Sequence, residues 1–379
     1  MRIAILLNGR FPTEKAYGIQ VLAMARGFAQ AGAAVAVIYP RRSSDVPKPE
    51  DGIEFIPFGP RMGLIWPGLF PLLRAIGAMT AVRPVQSWKP DIVLINDPLQ
   101  ADYLAPYFPV AWDLHDTPNL DSFLNRLVVR GILRRARCIV STNQLKLDAL
   151  KRIGSTLPPT IVLPNPVSFH PSIYRSIDRF KARSELGIAP EERAVVYAGQ
   201  LYDWKGVDTL IVAAAFSPND VRIHIVGGLG ADLERCKKLA ASLPATSAKV
   251  IFHGQQPSEA IPMWLRAANI VTVPNSGKFE ISRRDTNPLK LYEALAAEAA
   301  ILASDLPTVR EAVGDSAAVR FVKPDDAQAW GQAIGELVSD APTLDAMRKA
   351  ASSFHLMSSQ ERAHQLMTFF GSALRDKQD

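Results

Sequence analysis

The chain has 379 residues, 48% of them hydrophobic and 21% charged, with 43 Lys+Arg against 37 Asp+Glu and only two cysteines. This excludes a disordered chain, which would be poorer in apolar residues, and a disulfide-stapled secreted module, which would need many more cysteines. The length suits two domains, each large enough to bury its own core.

Short β-branched runs alternate with longer amphipathic ones along the chain. Strands are predicted at Arg2–Leu7, Val35–Tyr39, Ile92–Ile95, Cys138–Ser141 and Ile161–Leu163, and then at Ala194–Ala198, Arg222–Val226, Val250–Phe252, Ile270–Val273 and Ala300–Ala303. Continuously apolar strands separated by helices indicate parallel sheets covered on both faces, a doubly wound α/β architecture. The proline-rich stretch Leu157 to Pro190 divides the alternation into two rounds. Residues 1–170 read as a first domain and 171–354 as a second, with a C-terminal helix within 355–379 that suits packing on either. The opening run Ile3 to Leu7 is too short for the core of an export signal. The most apolar long stretch, Met62 to Val82, contains Pro67, Pro71 and Arg74, so it fails as a membrane span. Cys138 and Cys236 lie far apart with no ligand spacing and read as reduced thiols of a cytoplasmic protein without a metal site.

The net charge of +6 is unevenly placed: residues through His170 carry +7 and the remainder −1. An N-terminal basic excess points to an anionic partner there: a membrane surface, a nucleic acid or a phosphorylated substrate. No zinc-finger or RNA-binding signature accompanies it, which argues against nucleic acid. Two segments suit a membrane surface: the apolar run Met62 to Phe70 with Ile65, Trp66 and Leu69, and the row Arg126, Arg130 and Arg134, one face of a helix. The bland alternatives are a core helix and a solvated face.

In open parallel sheets, ligands bind where strands end and loops lead into helices. The first such loop, Asn8 to Gln20, carries Gly18 and lacks the Gly-x-Gly-x-x-Gly of a dinucleotide fold. The cluster Gly227-Gly228-Leu229-Gly230 allows close backbone approach to a nucleotide but is too weak for a nicotinamide site. In Arg283-Arg284-Asp285-Thr286-Asn287-Pro288-Leu289, Asn287 reads as an N-cap and Pro288 as a first helical residue, leaving a positive helix end for a phosphate. Glu293 follows Asp285 by eight residues, a little over two turns, so two acceptors flank one polar ligand. In Tyr197-Ala198-Gly199-Gln200-Leu201-Tyr202-Asp203-Trp204-Lys205-Gly206, a lysine tips the loop beyond a strand and glycine, a ready phosphate partner.

These segments, with Asp113-Leu114-His115 and His253-Gly254, resemble the retaining glycosyltransferases of family 4 over nearly the whole chain. The acidic pair has the spacing of that family's E-x7-E element, with Asp285 in place of the first Glu. The resemblance implies a GT-B fold, two Rossmann-like doubly wound parallel-sheet domains facing a central cleft, with the acceptor on the first and a nucleotide-sugar donor on the second. It implies that Lys205 binds the donor diphosphate and that the N–H groups around Thr286, Asn287, Pro288 and Leu289 hold its β-phosphate. Glu293 would take the ribose hydroxyls and Asp285 those of the transferred sugar. The base would lie near Gly228 and Gly254, Gly18 would approach diphosphate and acceptor, and His115 would approach the donor sugar. It implies further a UDP-sugar or GDP-sugar donor, a glycan, lipid-linked or small-molecule acceptor, and no metal or other cofactor, while the apolar run and the arginine row suit peripheral contact with the inner face of a membrane. Gln200 stands where the family carries an arginine after Gly199, and Arg283 or Arg284 is expected to compensate. A sugar-nucleotide epimerase of the same architecture and a noncatalytic sugar-nucleotide-binding protein are the rival readings.

Overall fold

In this computed structural model, residues 1–13, 16–41, 46–59, 70–153, 156–167 and 169–375 are described. The chain forms two compact units, residues 1–168 with 357–379, and residues 169–356.

The first unit holds strands β1 (Arg2–Leu6), β2 (Ala34–Pro40), β3 (Ile53–Phe58), β4 (Ile92–Ile95), β5 (Val110–Leu114), β6 (Cys138–Ser141) and β7 (Thr160–Val162). They form one sheet in the order β3-β2-β1-β4-β5-β6-β7, every pair parallel. Alternation along β1 sends Ile3 and Ile5 into one apolar cluster and Ala4 and Leu6 into another, one on each face of the sheet. The C-terminal helix Ser359–Arg375 completes the first of these clusters: Leu366 and Phe370 are fully buried, with the Phe370 ring 6.4 Å from that of Phe28 on helix Ala16–Gln30.

The second unit holds β8 (Arg193–Ala198), β9 (Val221–Val226), β10 (Lys249–Gly254), β11 (Ile270–Val273), β12 (Ala300–Ser304) and β13 (Val319–Val322), all parallel, in the order β10-β9-β8-β11-β12-β13. Its core gathers Val195, Tyr197, Ile223, Ile225 and Leu302 with Trp330 of helix Ala327–Ser339. The order reverses between β1 and β4 in one sheet and between β8 and β11 in the other, the places where such sheets take ligands.

Three strands were not expected from the sequence. β3 carries Glu54 and Pro57, tolerable because it is an edge strand. β5 carries a buried carboxylate, Asp113, and β13 alternates through Arg320. Both cysteines are buried and free, and burial pushes each thiol up to about 12, out of reach of thiolate chemistry at neutral pH. No helix among the described residues is long and apolar enough to cross a membrane. Met62 to Leu69, the proposed membrane-facing run, lies outside the described residues, as do Glu14 and Lys15 of the first loop; of Phe70 only its place at the start of helix Phe70–Trp88 is described.

Candidate functional site

The carboxyl ends of β8, β9 and β10 terminate in glycines joined in a row. Gly199 N–H donates to the Val226 carbonyl and Gly227 N–H to the Gly254 carbonyl, both at 2.7 Å. Gly228 follows directly, and Gln200 is exposed, with its carbonyl accepting from the Tyr197 hydroxyl at 2.5 Å. Beyond β8 the chain makes a single 3-10 turn, Asp203–Lys205, closed by Gly206. Gly206 has φ 67°, and a Cβ there would stand 2.0 Å from the Pro274 carbonyl oxygen, so only glycine lets the turn lie this close to the chain leaving β11. That contact is reinforced by Ser276 N–H and Ser282 Oγ, which both donate to the Trp204 carbonyl at 3.0 Å.

The turn presents Lys205. Its ammonium lies 3.7 Å from the centre of the Trp204 ring and makes no hydrogen bond or ion pair among the described residues. Burial, and then the positive charge of Lys290, hold its pKa well below the ordinary lysine value, against the opposing pull of Glu293. Lys290, in the first turn of helix Leu289–Ala296, donates its ammonium to the Ala198 carbonyl and sits 4.7 Å from the centre of the Tyr197 ring. Burial pushes Lys290 down to about 8, with Glu293 again opposing. Gly199 makes room for it. Its φ is 145°, and a Cβ would fall 1.2 Å from the Lys290 nitrogen. Two ammoniums therefore share one carboxylate, and a ligand carrying two or more negative charges relieves the repulsion between them.

Lys290 was missed in the sequence, where a lysine within a helix reads as solvated. The available signal was its position three residues before Glu293, which puts both on one helix face. The helix start also differs from expectation. Asn287 does not cap it: its side-chain amide donates to the Tyr292 hydroxyl at 3.1 Å, the N-cap is Pro288, and helix begins at Leu289. Thr286 N–H donates to Ile281 at 2.8 Å and Leu289 N–H to Asn287 at 2.9 Å, while Pro288 has no N–H. The amides expected to receive a phosphate are thus largely engaged, and the charge at this end comes from the Lys290 side chain.

A π-helical turn, Ile281–Asp285, precedes that helix. The buried Asp285 carboxylate is gripped by the Arg284 guanidinium through two contacts of 2.9 and 3.0 Å, and Arg284 also pairs with Glu280. Donating to the Asp285 carboxylate raises the Arg284 pKa further. Arg283 is exposed and donates to the Gly277 carbonyl. Both arginines expected to compensate for Gln200 are therefore engaged within their own loop. Next to Gly254, His253 Nε2 lies 3.0 Å from His224 Nδ1, and burial together with the neighbouring His224 pushes His253 down to about 4, so it is neutral at pH 7.

His115 belongs to the first unit. It follows β5, and its Nε2 lies 2.8 Å from Asp113 Oδ2. Burial raises the Asp113 pKa, but His115, Arg362 and Lys146 outweigh it and the net shift is downward. Arg362 comes from the C-terminal helix and is itself buried, with its Nη1 3.0 Å from Met24 Sδ. Gly18, in the first turn of helix Ala16–Gln30, is packed so closely that a Cβ would stand 2.6 Å from the Thr13 carbonyl.

Two family models divide the chain between them: Glycosyltransferase Family 4 matches residues 18–170 and Glycosyl transferases group 1 matches residues 178–354. The chain belongs to the glycosyltransferases of family 4 and has the GT-B fold. A D-inositol 3-phosphate glycosyltransferase of Nocardia farcinica is 35% identical over 183 residues, covering 46% of this family 4 chain and 39% of that protein. The protein of the same name from Mycobacteroides abscessus is 29% identical over 246 residues, 63% and 52% of the respective chains. The chain thus spans about half, or less, of the length of these curated relatives. Sucrose-phosphate synthase from Thermosynechococcus elongatus superposes with TM-score 0.76 at 20% identity, over 100% of this chain and 97% of that one. Anabaena Alr3699/HepE in complex with UDP-glucose gives 0.70 at 19% identity, over 100% and 99%.

Proposed function

We propose that the chain transfers a sugar from a nucleoside-diphosphate sugar to a hydroxyl acceptor with retention of anomeric configuration. The observation that carries the reading is the pair of partly buried ammoniums, Lys205 and Lys290, at the strand ends flanking the switch point of the second unit. Departure of a nucleoside diphosphate concentrates negative charge on the leaving phosphate, and preorganised cations in a partly dry site stabilise that charge most. The two lysines take this role without a metal. Glu293 sets their charge state and accepts the ribose hydroxyls, Asp285 is held by Arg284 toward the sugar hydroxyls, and the neutral His253 with Gly228 and Gly254 borders the base. No protein nucleophile is assigned; the leaving phosphate oxygen takes the acceptor proton.

The glycosyltransferase relatives support transfer chemistry, and the UDP-glucose held by HepE supports a UDP-sugar donor. The first unit is assigned the acceptor, with His115 braced by Asp113 beside it. A glycan or lipid-linked acceptor at the inner face of a membrane suits helix Phe123–Arg135, which exposes Phe123, Leu124 and Leu127 by 63, 70 and 44% beside the exposed Arg126, Arg130 and Arg134. Anionic vesicles should co-sediment the protein at low salt where neutral vesicles do not.

A thermal-shift panel of UDP, GDP and ADP with their sugars tests the donor, because a ligand of the folded state stabilises it by mass action. One nucleotide should raise the melting temperature in the wild type and fail to do so in Lys205→Ala and Lys290→Ala. Silence of every nucleotide with folded protein defeats the assignment. Anomeric analysis of the glycosylated product decides retention, and product formed without an acceptor would indicate epimerisation instead.

A further inference from the structure

Helix Leu289–Ala296, which carries Lys290 in its first turn, has a second basic cluster at its C-terminal end. A hollow of about 380 Å³ is lined there by Arg179, Arg266, Arg348, Lys349, Glu298 and Ser352 among others. Four of these six side chains are cations and one is an anion. The cations differ in how they are held. Arg266 is anchored: its Nη1 reaches Glu298 at 2.9 Å and the Ala297 carbonyl at 3.0 Å, and its Nε the Ile177 carbonyl at 3.2 Å. Arg348 pairs with Asp345 at 2.7 Å. Arg179 and Lys349 side chains have no hydrogen bond or ion pair among the described residues, all of which are described in this unit from Phe169 on.

Glu298 is itself constrained. It has φ 52°, a left-handed conformation unusual for a side chain of its size, and Arg175 approaches it at 3.4 Å from the other side of Arg266. The one lining carboxylate is thus consumed by two arginines, and Asp345 by a third. Arg179 and Lys349 remain uncompensated. The negative end of the helix dipole does not supply the missing charge, because Arg266 already takes the Ala297 carbonyl. Burial and the positive charges of Arg348, Arg183 and Arg266 push Arg179 down to about 10, against Asp345.

We propose that this hollow is a phosphate-binding site, taking a dianionic phosphate group on Arg179, Arg348 and Lys349. Planar guanidinium forks match phosphate oxygens, and two free cations call for two negative charges. The volume lies at the small end of ligand pockets and suits a phosphomonoester of a small molecule or a phospholipid headgroup. This goes beyond the donor reading and does not depend on it, since its residues share none with Lys205, Lys290 or Glu293.

Arg179→Gln with Lys349→Gln removes no native hydrogen bond or ion pair among the described residues and keeps much of each alkyl stem, so this double variant separates binding from folding. Inorganic phosphate at millimolar concentration should raise the melting temperature of the full chain above that in chloride of equal ionic strength. The rise should persist in Lys205→Ala, and the double variant should bind phosphate at least about tenfold more weakly. Without phosphate and at low salt, the double variant should melt higher than the wild type, because repulsion has been removed; a purely structural role for Arg179 gives the opposite sign. Flotation on phosphatidate vesicles that depends on Arg179 identifies the headgroup as the source, and binding confined to free phosphate identifies a soluble ester. Equal phosphate response in wild type and double variant, or loss of the response in Lys205→Ala, overturns the proposal.

Discussion

Lys290 gives the proposed donor site a titration close to pH 8, and its consequences for binding and for stability have opposite signs. Free Lys290 loses its proton as pH rises through about 8, instead of the ordinary 10.5. A bound diphosphate restores the charged form, so binding takes up a proton above pH 8 and affinity declines with pH. Between pH 7 and pH 9.5 the protonated fraction of the free site falls about 30-fold, and affinity for a nucleoside diphosphate should fall by the same factor. The ligand-free protein behaves in the opposite way. A lysine whose folded pKa is depressed destabilises the fold fully below that pKa, where both states are charged, and the penalty is relieved over the range in which only the unfolded chain keeps the proton. Stability is therefore lowest below pH 8 and is regained as pH rises from about 8 to 10.5. The drop is equivalent to at most about 3 kcal/mol, less what solvent screening removes from a partly buried ammonium. Lys205, also held well below the ordinary lysine value, acts in the same sense. Calorimetric titration of the stabilising nucleotide at pH 7, 8, 9 and 9.5, in buffers of different ionisation enthalpy, measures both affinity and proton uptake. Flat affinity across that range refutes the reasoning, and so does an identical pH dependence in Lys290→Gln.

Gly199→Ala forces the Lys290 ammonium off the Ala198 carbonyl and places an L side chain at φ 145°; donor affinity should drop about 10- to 100-fold for about 1–3 kcal/mol of stability, as measured by nucleotide titration and urea unfolding. Gly206→Ala meets backbone, since its Cβ would lie 2.0 Å from the Pro274 oxygen; unfolding in urea should show a loss of more than about 2 kcal/mol, together with weaker nucleotide binding through displacement of Lys205. Asp113→Asn leaves buried Arg362 and Lys146 without their carboxylate, at a cost of about 3–5 kcal/mol by urea midpoint at pH 7. Because the folded pKa of Asp113 is depressed below 3.8, its contribution is present above that value and lost as pH falls through the folded pKa, so wild type and variant should converge in acid.

Much of the fold was legible because parallel strands buried on both faces must be almost wholly apolar, as β4 is throughout, β1 is after Arg2, and β6 and β11 are apart from the small buried Ser141 and Thr272. The strands that escaped notice contain a proline or a charge whose compensation lies far away in sequence. Asp113 is held inside β5 by the adjacent His115 and also by Lys146 and Arg362, 33 and 249 residues further on. Of the candidate site, the glycines, Lys205 beyond a strand end, and Glu293 eight residues after Asp285 could be picked out in the sequence. Lys290 could not, because its meaning depends on a glycine 91 residues earlier leaving room for it. Nor was it legible that Asn287 would spend its side chain on Tyr292, a choice made by local packing rather than by capping preference.

The discontinuity of the first unit sets an order of events during synthesis. Residues 169–356 form a compact unit from one uninterrupted stretch, so they can close as soon as they leave the ribosome. The earlier stretch cannot: until helix Ser359–Arg375 arrives, Ala25 and Phe28 have no Leu366 or Phe370 to cover them, and Asp113 lacks Arg362. The part made first is finished last. Its final counter-ion reaches the strand that leads to His115 only after the entire second unit has been built.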